Sequence, residues 1–145
     1  MPKVLVASDA RWVRDQVRAI LVAPGFELVD VERGQDMREA MARDQPDLVI
    51  VDLQIGNMGG MAVTMDLRLE ESAGRLPHVP VLLLLDREAD RFLARRSHAD
   101  AMMVKPIDPG ALRRTVKRLV EEEEARRAAA EVVEDEPGEA DESAG

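Results

Sequence analysis

Residues 47–52 read Asp-Leu-Val-Ile-Val-Asp, and this stretch decides the fold of the 145-residue chain. A continuous apolar run of four residues is typical of a strand that is covered on both faces of a parallel sheet. Three further runs are also continuous, whereas residues 26–31 mix apolar with charged side chains and predict an edge strand. The five predicted strands are Val4–Ala7, Phe26–Val31, Leu48–Val51, Val79–Leu85 and Ala101–Val104.

The intervals between these runs carry the 3.6-residue period of amphipathic helices. Five strands that alternate with five helices through short connections predict a doubly wound α/β layer with right-handed crossovers. The third helix is rich in methionine, which we interpret as core filling rather than a cofactor site. The five apolar stripes are Val13, Val17, Ile20 and Leu21; Met37, Ala40 and Met41; Met61, Met65 and Leu69; Ala89, Phe92 and Leu93; and Leu112, Val116, Leu119 and Val120.

The composition excludes several chemistries. The chain has no cysteine and only two histidines, so it forms no disulfide and has no thiolate nucleophile, and a zinc site is disfavoured.

The longest apolar run, residues 79–85, contains a proline and is far shorter than the roughly 20 residues that span a bilayer. Because no secretory signal precedes the first strand, we expect a cytoplasmic protein that does not bind membranes.

The charge is divided unevenly along the chain. Residues 1–120 carry 18 acids and 18 bases, while residues 121–145 carry 11 acids and 2 bases. A body without a basic surplus is a poor binder of nucleic acid. We therefore predict one folded domain over residues 1–120, then an acidic helical extension and, beyond Pro137, a disordered tail. The tail is interpreted as a solvated extension, with a docking peptide for a basic partner as the less favoured alternative.

Polar side chains follow four of the predicted strands at their carboxyl ends. In an open α/β sheet these ends form one rim, where ligands bind. Crowded carboxylates repel one another unless a cation lies among them, and hard oxygen donors suit Mg²⁺. A lysine at this rim indicates a compact positive charge, because 17 of the 20 basic residues are arginines. The rim residues are Ser8, Asp9, Asp52, Asp86 and Lys105.

The matching stretches are Val4–Asp9, Asp47–Asp52 with Gly56, Met58 and Gly60 after it, Pro80–Leu82, Ala99-Asp100 and Lys105-Pro106. In residue type and spacing, they resemble the receiver domain of bacterial two-component response regulators. The resemblance covers residues 3 to about 120. It implies a flavodoxin-like (βα)5 three-layer sandwich with a parallel sheet in the order 2-1-3-4-5.

The resemblance also implies a phosphorylation site at the rim. Asp52 would be the phosphoacceptor, and Lys105, joined to Pro106 by a cis peptide bond, would contact the phosphoryl group. Mg²⁺ would be bound by Asp9, Asp52 and the backbone carbonyl of Gln54. Such a domain is a signalling domain that at most phosphorylates and dephosphorylates itself. Its implied partners are a sensor histidine kinase or phosphotransfer protein, and a downstream protein target in trans, because no output domain follows the predicted fold.

Three switch positions depart from the family pattern. Ser8 stands where the first of two acids is usual, Leu85 replaces the hydroxyl residue after the fourth strand, and Met102 replaces its aromatic partner. A proline is also common where Gly56 stands. Two functions stay open: a receiver phosphorylated on Asp52, and a phosphorylation-independent pseudo-receiver that acts as a protein-interaction adaptor. Enzymes of similar fold are disfavoured because no glycine-rich nucleotide loop follows any strand.

Other residues carry competing interpretations. Asp86 is interpreted as the N-cap of a helix over residues 87–97, with a like charge that opposes phosphorylation as the alternative. Taken alone, Asp9 would be interpreted as a helix cap. Its position at the same rim as Asp52 favours a role as a metal ligand. The remaining interpretations are Trp12, beside the site at the start of the first helix, as a packing residue, and His78 and His98 as surface residues without partners at metal-ligand spacing.

The same resemblance places the partner surface on the fourth helix, the fifth strand and the fifth helix. A homodimer through these elements is a candidate assembly. A strip of arginines on the fourth helix belongs to this surface, although a plain solvated helix face is slightly favoured over a docking role. The strip consists of Arg87, Arg91, Arg95 and Arg96.

Overall fold

A five-stranded sheet forms the centre of the computed structural model, which describes residues 1–56 and 58–134. All neighbouring strands are parallel, in the order β2-β1-β3-β4-β5, so the predicted order and the edge position of β2 are confirmed. The strands are β1 (Lys3–Ala7), β2 (Glu27–Val31), β3 (Leu48–Asp52), β4 (Val81–Leu85) and β5 (Ala101–Val104).

Helices cover both faces of the sheet and complete the three predicted layers. Helices α1 and α5 pack on one face, and α2, α3 and α4 on the other. Two short 3₁₀ turns, Gly34–Asp36 and Arg95–Ser97, adjoin α2 and α4. The helices are α1 (Arg11–Val22), α2 (Met37–Asp44), α3 (Gly60–Ser72), α4 (Asp90–Ala94) and α5 (Pro109–Glu134).

The central strand β3 fixes the position of Asp52. Every residue of β3 is buried, and β1 and β4 pair with it on either side. Asp52 is its last residue and is in register with Leu84 of β4. The carboxylate therefore stands at the carboxyl end of the sheet, surrounded by strands and the loops that follow them.

The predicted core stripe of α3 is wrong. Met65 is 47% exposed and Leu69 is 66% exposed, while the buried face carries Val63 and Leu67. The helix has apolar residues on two sides, so its periodicity alone does not identify the side that meets the sheet. The methionine-rich stripe is thus largely a surface feature and not core filling.

The predicted fourth helix is also shorter and turned differently. It was expected over residues 87–97 with Phe92 in its core stripe, but α4 spans only Asp90–Ala94 and Phe92 is 69% exposed. The buried contacts of this segment come from Ala94 and Ser97. Their small side chains let the segment lie close to the sheet, so the larger side chains point outward.

Helix α5 extends well beyond the predicted domain end at residue 120. Within this extension Glu123 is buried and binds the guanidinium groups of Arg126 and Arg127, at 2.7 Å and 3.1 Å. His78 lies between the carboxylates of Glu71 and Glu123. These contacts hold the extension against the body of the domain. The disorder predicted beyond Pro137 lies outside the described residues.

The helices of residues 1–56 and 58–134 include no candidate for a membrane span. None of them combines the length and the apolar character that a bilayer span requires.

Leu67→Ala and Leu69→Ala test the face of α3 that meets the core. Leu67 is 5% exposed, so its truncation should lower the free energy of unfolding by about 2 to 4 kcal/mol. Leu69 is exposed, and its truncation should change this free energy by about 0.5 kcal/mol or less. Urea denaturation of both variants measures the difference. Equal losses would contradict the observed helix face.

Glu123→Gln tests the anchor of the α5 extension. Burial would raise the pKa of Glu123, but the hydrogen bond from Arg126 and the charges of His78, Arg126 and Arg127 outweigh it and lower the pKa below 4.5. The ionised carboxylate therefore adds stability above pH 4.5 that is lost as the pH falls below this value. Unfolding measured from pH 6 to pH 3 should show a smaller loss in Glu123→Gln than in the control Glu122→Gln, which alters an exposed carboxylate. An equal loss would exclude the anchor.

Candidate functional site

Three strand ends bring Ser8, Asp52 and Lys105 into one hydrogen-bonded group. The Ser8 hydroxyl donates to Oδ2 of Asp52 at 2.8 Å, and the Lys105 ammonium donates to Oδ1 at 2.7 Å. Asp52 is 1% exposed, so its charge is compensated mainly by these donors. The rim predicted from the strand ends is therefore present, with a buried carboxylate at its centre.

The carboxylate of Asp52 keeps some capacity for a further contact. Besides Ser8 and Lys105, the backbone N–H of Gln54 donates to Oδ1 at 3.1 Å. An ionised carboxylate offers about four lone-pair sites, and these donors take two on Oδ1 and one on Oδ2. Counting the donors from residues 1–56 and 58–134, one site on Oδ2 is left for a cation or for attack on an electrophile.

Lys105 is shared between two carboxylates. Its ammonium donates to Asp52 and, at 3.1 Å, to Oδ1 of Asp86. Burial acts to lower the pKa of Lys105, but the hydrogen bonds and charges of Asp52 and Asp86 outweigh it and raise the pKa above 10.5. The ammonium therefore stays charged at neutral pH. The peptide bond between Lys105 and Pro106 is cis, as predicted.

The predicted cap role of Asp86 is wrong. Helix α4 begins at Asp90, and its N-cap residue, Ala89, makes no side-chain cap bond. It is Asp90 that accepts a hydrogen bond from the backbone N–H of Arg87, at 3.0 Å. Because the helix starts three residues later than expected, the carboxylate of Asp86 is left to bind Lys105 instead.

Trp12 also belongs to the rim rather than to the core. Its side chain is 63% exposed, and the Lys105 ammonium lies 5.8 Å from the centre of its ring. This distance is within the range of a cation–π interaction. The interpretation of Trp12 as a packing residue is therefore wrong. Its place in the first turn of α1, three residues after Asp9, was the available signal.

Asp9 lies against the loop that follows β3. A Cβ atom on Gly56 would stand 2.8 Å from Oδ2 of Asp9, so glycine at this position leaves room for the carboxylate. Asp9 does not cap α1, because that helix begins at Arg11 and its N-cap residue, Ala10, bonds through its N–H to the Ser8 hydroxyl at 3.1 Å. The carboxylate of Asp9 is therefore exposed, lies beside the loop that follows Asp52, and is available to a ligand.

These donors fit the requirements of Mg²⁺. Within residues 1–56 and 58–134, no three or more acidic or histidine side chains are placed to hold a metal ion. Mg²⁺ is commonly held by one or two carboxylates together with waters and phosphate oxygens, which Asp9 and Asp52 satisfy. Ser8, in place of another acid, leaves the site with less negative charge than a site of three carboxylates.

Gly60 allows the loop after β3 to fold back onto the strand. A Cβ atom at this position would stand 2.6 Å from the carbonyl oxygen of Asp52 and 2.6 Å from Cα of Leu53. The N–H of Gly60 bonds to the carbonyl of Leu53 at 3.0 Å. The start of α3 is therefore held directly against the backbone of the candidate phosphoacceptor.

A buried arginine supports the first rim loop and was not predicted. Arg14 on α1 donates to the backbone carbonyl of Ser8 at 2.6 Å and to the carboxylate of Glu32 at 3.3 Å. In the sequence, Arg14 directly follows Val13, which belongs to the apolar stripe of the first helix. This position was the available sign that the arginine side chain is buried against the sheet. By holding the Ser8 carbonyl, Arg14 helps to place the Ser8 hydroxyl beside Asp52.

The altered switch positions lie in or against the core. Leu85 is fully buried and packs in one apolar cluster with Ala94, against which Met102 and Val104 also pack. Neither Leu85 nor Met102 offers a hydroxyl or a ring at the rim. The backbone carbonyl of Leu85 contacts the site, because it accepts a hydrogen bond from the N–H of Lys105 at 2.8 Å.

With this geometry established, the family follows from sequence comparison. The sequence model of the response regulator receiver domain matches residues 4–117. The chain belongs to this family. Receiver domains are the phosphoacceptor domains of two-component signalling, and they interact with histidine kinases or phosphotransfer proteins.

Known receiver proteins differ in how much of their length this chain matches. Transcriptional regulatory protein GltR of Pseudomonas aeruginosa is 28% identical over 119 residues, which cover 81% of this chain and 48% of GltR. Protein PilH of the same organism is 23% identical over 120 residues, which cover 83% of this chain and 98% of PilH. The chain therefore spans about half of GltR and nearly all of PilH.

A solved receiver domain shares the fold at comparable identity. The BeF3-activated N-terminal receiver domain of Klebsiella pneumoniae RstA is 27% identical and superposes with a TM-score of 0.71. The alignment covers 81% of this chain and 97% of the RstA chain.

Lys105→Met tests the compensation of the buried Asp52 carboxylate. Loss of the ammonium should lower the free energy of unfolding by about 3 kcal/mol, because a buried charge loses its partner. Since the pKa of Lys105 is raised, the wild-type contribution is complete below pH 10.5 and is lost as the pH rises above it. Denaturant unfolding at neutral pH gives the loss. Lys117→Met, at an exposed position on α5, is the control, and an equal effect of both variants would exclude the buried pair.

Proposed function

We propose that this receiver domain accepts a phosphoryl group on Asp52 from a phosphohistidine of a sensor histidine kinase or phosphotransfer protein. The observation that carries the proposal is the 2.7 Å contact between the Lys105 ammonium and Asp52. It places a fixed positive charge beside a buried carboxylate at the end of the central strand. A carboxylate nucleophile beside a fixed cation is suited to phosphoryl transfer.

The transfer exchanges one bond to phosphorus for another. Oδ2 of Asp52, which keeps a free lone pair, attacks the phosphorus atom while the bond from phosphorus to the donor imidazole nitrogen breaks. The imidazole keeps the electron pair of that bond and takes up a proton, and Asp52 becomes an aspartyl phosphate. Lys105 offsets the negative charge on the transferred group. The Ser8 hydroxyl releases Oδ2 during this step.

Mg²⁺ belongs to the proposal as the cofactor. Asp9, Asp52 and the backbone carbonyl of Gln54 are the proposed ligands. When bound, the cation supplies positive charge to the oxygens of the transferring phosphoryl group. Asp9 supports this role because its carboxylate is exposed beside Gly56, in reach of the loop that Asp52 begins.

A second function has its own structural support. The domain could act as a phosphorylation-independent adaptor, because Leu85 is fully buried and supplies no hydroxyl to bind a phosphoryl oxygen. Ser8 also occupies one acceptor site on Oδ2 of Asp52 with a hydrogen bond, where a second acid would have favoured a metal. Both features reduce the difference between a phosphorylated and an unphosphorylated state. We favour phosphorylation because Asp9, Asp52 and Lys105 are all retained.

The proposed partner surface comprises α4, β5 and α5, with a downstream protein target or a second copy as its ligand. Arg87 and Arg91 of this surface pair with Asp90 and Glu88. Arg95 and Arg96 make no ion pair with any residue in 1–56 or 58–134, and Arg96 lies over the ring of Phe92 at 5.8 Å.

The neutral charge balance of residues 1–120 argues against nucleic acid as the ligand. We expect this exchange in the cytoplasm, where histidine kinases obtain ATP.

Asp52→Asn tests the proposed phosphoacceptor. Incubation of the wild-type chain with Mg²⁺ and acetyl phosphate should add one phosphoryl group by intact mass, and this increment should be absent from Asp52→Asn. The exposed carboxylate of Asp15 provides the control variant Asp15→Asn, which should be labelled like the wild type. An unlabelled wild-type chain, with a histidine kinase as donor as well, would instead support the adaptor.

A further inference from the structure

Two carboxylates on neighbouring strand ends compete for one ammonium group. Lys105 donates to Asp52 at 2.7 Å and to Asp86 at 3.1 Å. The side chain of Asp52 is 2% exposed, whereas that of Asp86 is 35% exposed. Asp52 is held by two further donors, while Asp86 has Lys105 as its one side-chain partner within the described residues. Asp86 is therefore the partner that can leave.

A phosphoryl group on Asp52 would compete with Asp86 for the Lys105 ammonium. An ammonium has three donors, and two of them point at Asp52 and Asp86, while the ring of Trp12 lies on a further side. A phosphoryl group brings a charge of about −1.5 to −2 and strong acceptor oxygens. Asp86 would then face a like charge across the same lysine, which is unfavourable.

We propose that Asp86 is a positioning residue that holds the Lys105 ammonium while Asp52 is unphosphorylated and is displaced from it when Asp52 is phosphorylated. This proposal rests on the proposed function at Asp52. It assigns Asp86 two effects: it slows phosphorylation of Asp52, and its release moves the loop of residues 86–89 between β4 and α4. Phosphorylation would thus reach α4 without a hydroxyl at Leu85.

The backbone connections support this route. Leu85, directly before Asp86, is held by the hydrogen bond from the N–H of Lys105 to its carbonyl at 2.8 Å. Directly after Asp86, the N–H and guanidinium of Arg87 bind Asp90 at the start of α4, at 3.0 Å and 3.3 Å. A shift of Asp86 therefore acts on a chain that is fixed to the strand on one side and tied to the helix on the other.

Charge variants at Asp86 separate this role from a structural one. Asp86→Asn removes the charge at nearly constant size, Asp86→Glu keeps it, and Glu88→Gln removes a charge from an exposed side chain of the same loop. The readout is the initial rate of labelling by acetyl phosphate with Mg²⁺, measured by intact mass. Asp86→Asn should be labelled about three- to tenfold faster than the wild type. Asp86→Glu and Glu88→Gln should stay within about twofold of it.

Beryllofluoride with Mg²⁺ provides a readout that does not depend on turnover. Trp12 is the one tryptophan of the chain and lies beside Lys105, so its fluorescence reports the surroundings of the ammonium. Addition of beryllofluoride should change this fluorescence and shift the backbone amide resonances of residues 86–89 in the wild type. In Asp86→Asn the free protein should already show most of the loop shift.

The outcomes distinguish this proposal from the proposed function. Labelling of the wild type with equal rates in Asp86→Asn and Glu88→Gln would overturn the role of Asp86 and leave phosphorylation intact. An unlabelled wild type with a labelled Asp86→Asn would support the role of Asp86 as a block. Failure of both to be labelled or to respond to beryllofluoride would overturn both proposals.

Discussion

The buried ion pair between Asp52 and Lys105 is the interaction on which the site depends. A carboxylate at the end of a fully buried central strand is unfavourable unless charged and polar donors surround it. The parallel sheet supplies them, because its strands end at the same rim, where Ser8 follows β1 on one side of Asp52 and Lys105 follows β5 on the other. In the proposed function, the donors that stabilise the Asp52 carboxylate also hold a fixed cation beside the nucleophile.

The departures from the receiver pattern redistribute charge around this pair. Ser8 removes a negative charge on the side of Asp9, and Asp86 adds one on the side of Lys105. The rim thus keeps the carboxylates of Asp9, Asp52 and Asp86, and in the proposed mechanism Asp86 opposes the phosphoryl group while the other two are the metal ligands. The side chain of Leu85 contributes apolar packing, so in the proposed mechanism electrostatic competition for Lys105 takes the place of a hydroxyl at this position.

The strands and the rim could be predicted from the sequence because both follow from local rules. Continuous apolar runs such as Leu48–Val51 mark buried parallel strands, and residues after such runs meet at one edge. The faces of α3 and α4 could not be predicted, because Leu69 and Phe92 fit a helical stripe as well as the residues that are buried. The role of Asp86 depended on where α4 begins, which propensity and periodicity leave open by several residues.

A crystal structure of the chain with Mg²⁺ and beryllofluoride tests the account most directly. The account predicts beryllium bonded to a carboxylate oxygen of Asp52, with a fluorine in contact with the Lys105 ammonium and with Asp86 displaced from it. Lys105 turned away from the fluorines, or beryllofluoride bound elsewhere while Asp52 keeps its present contacts, would contradict it.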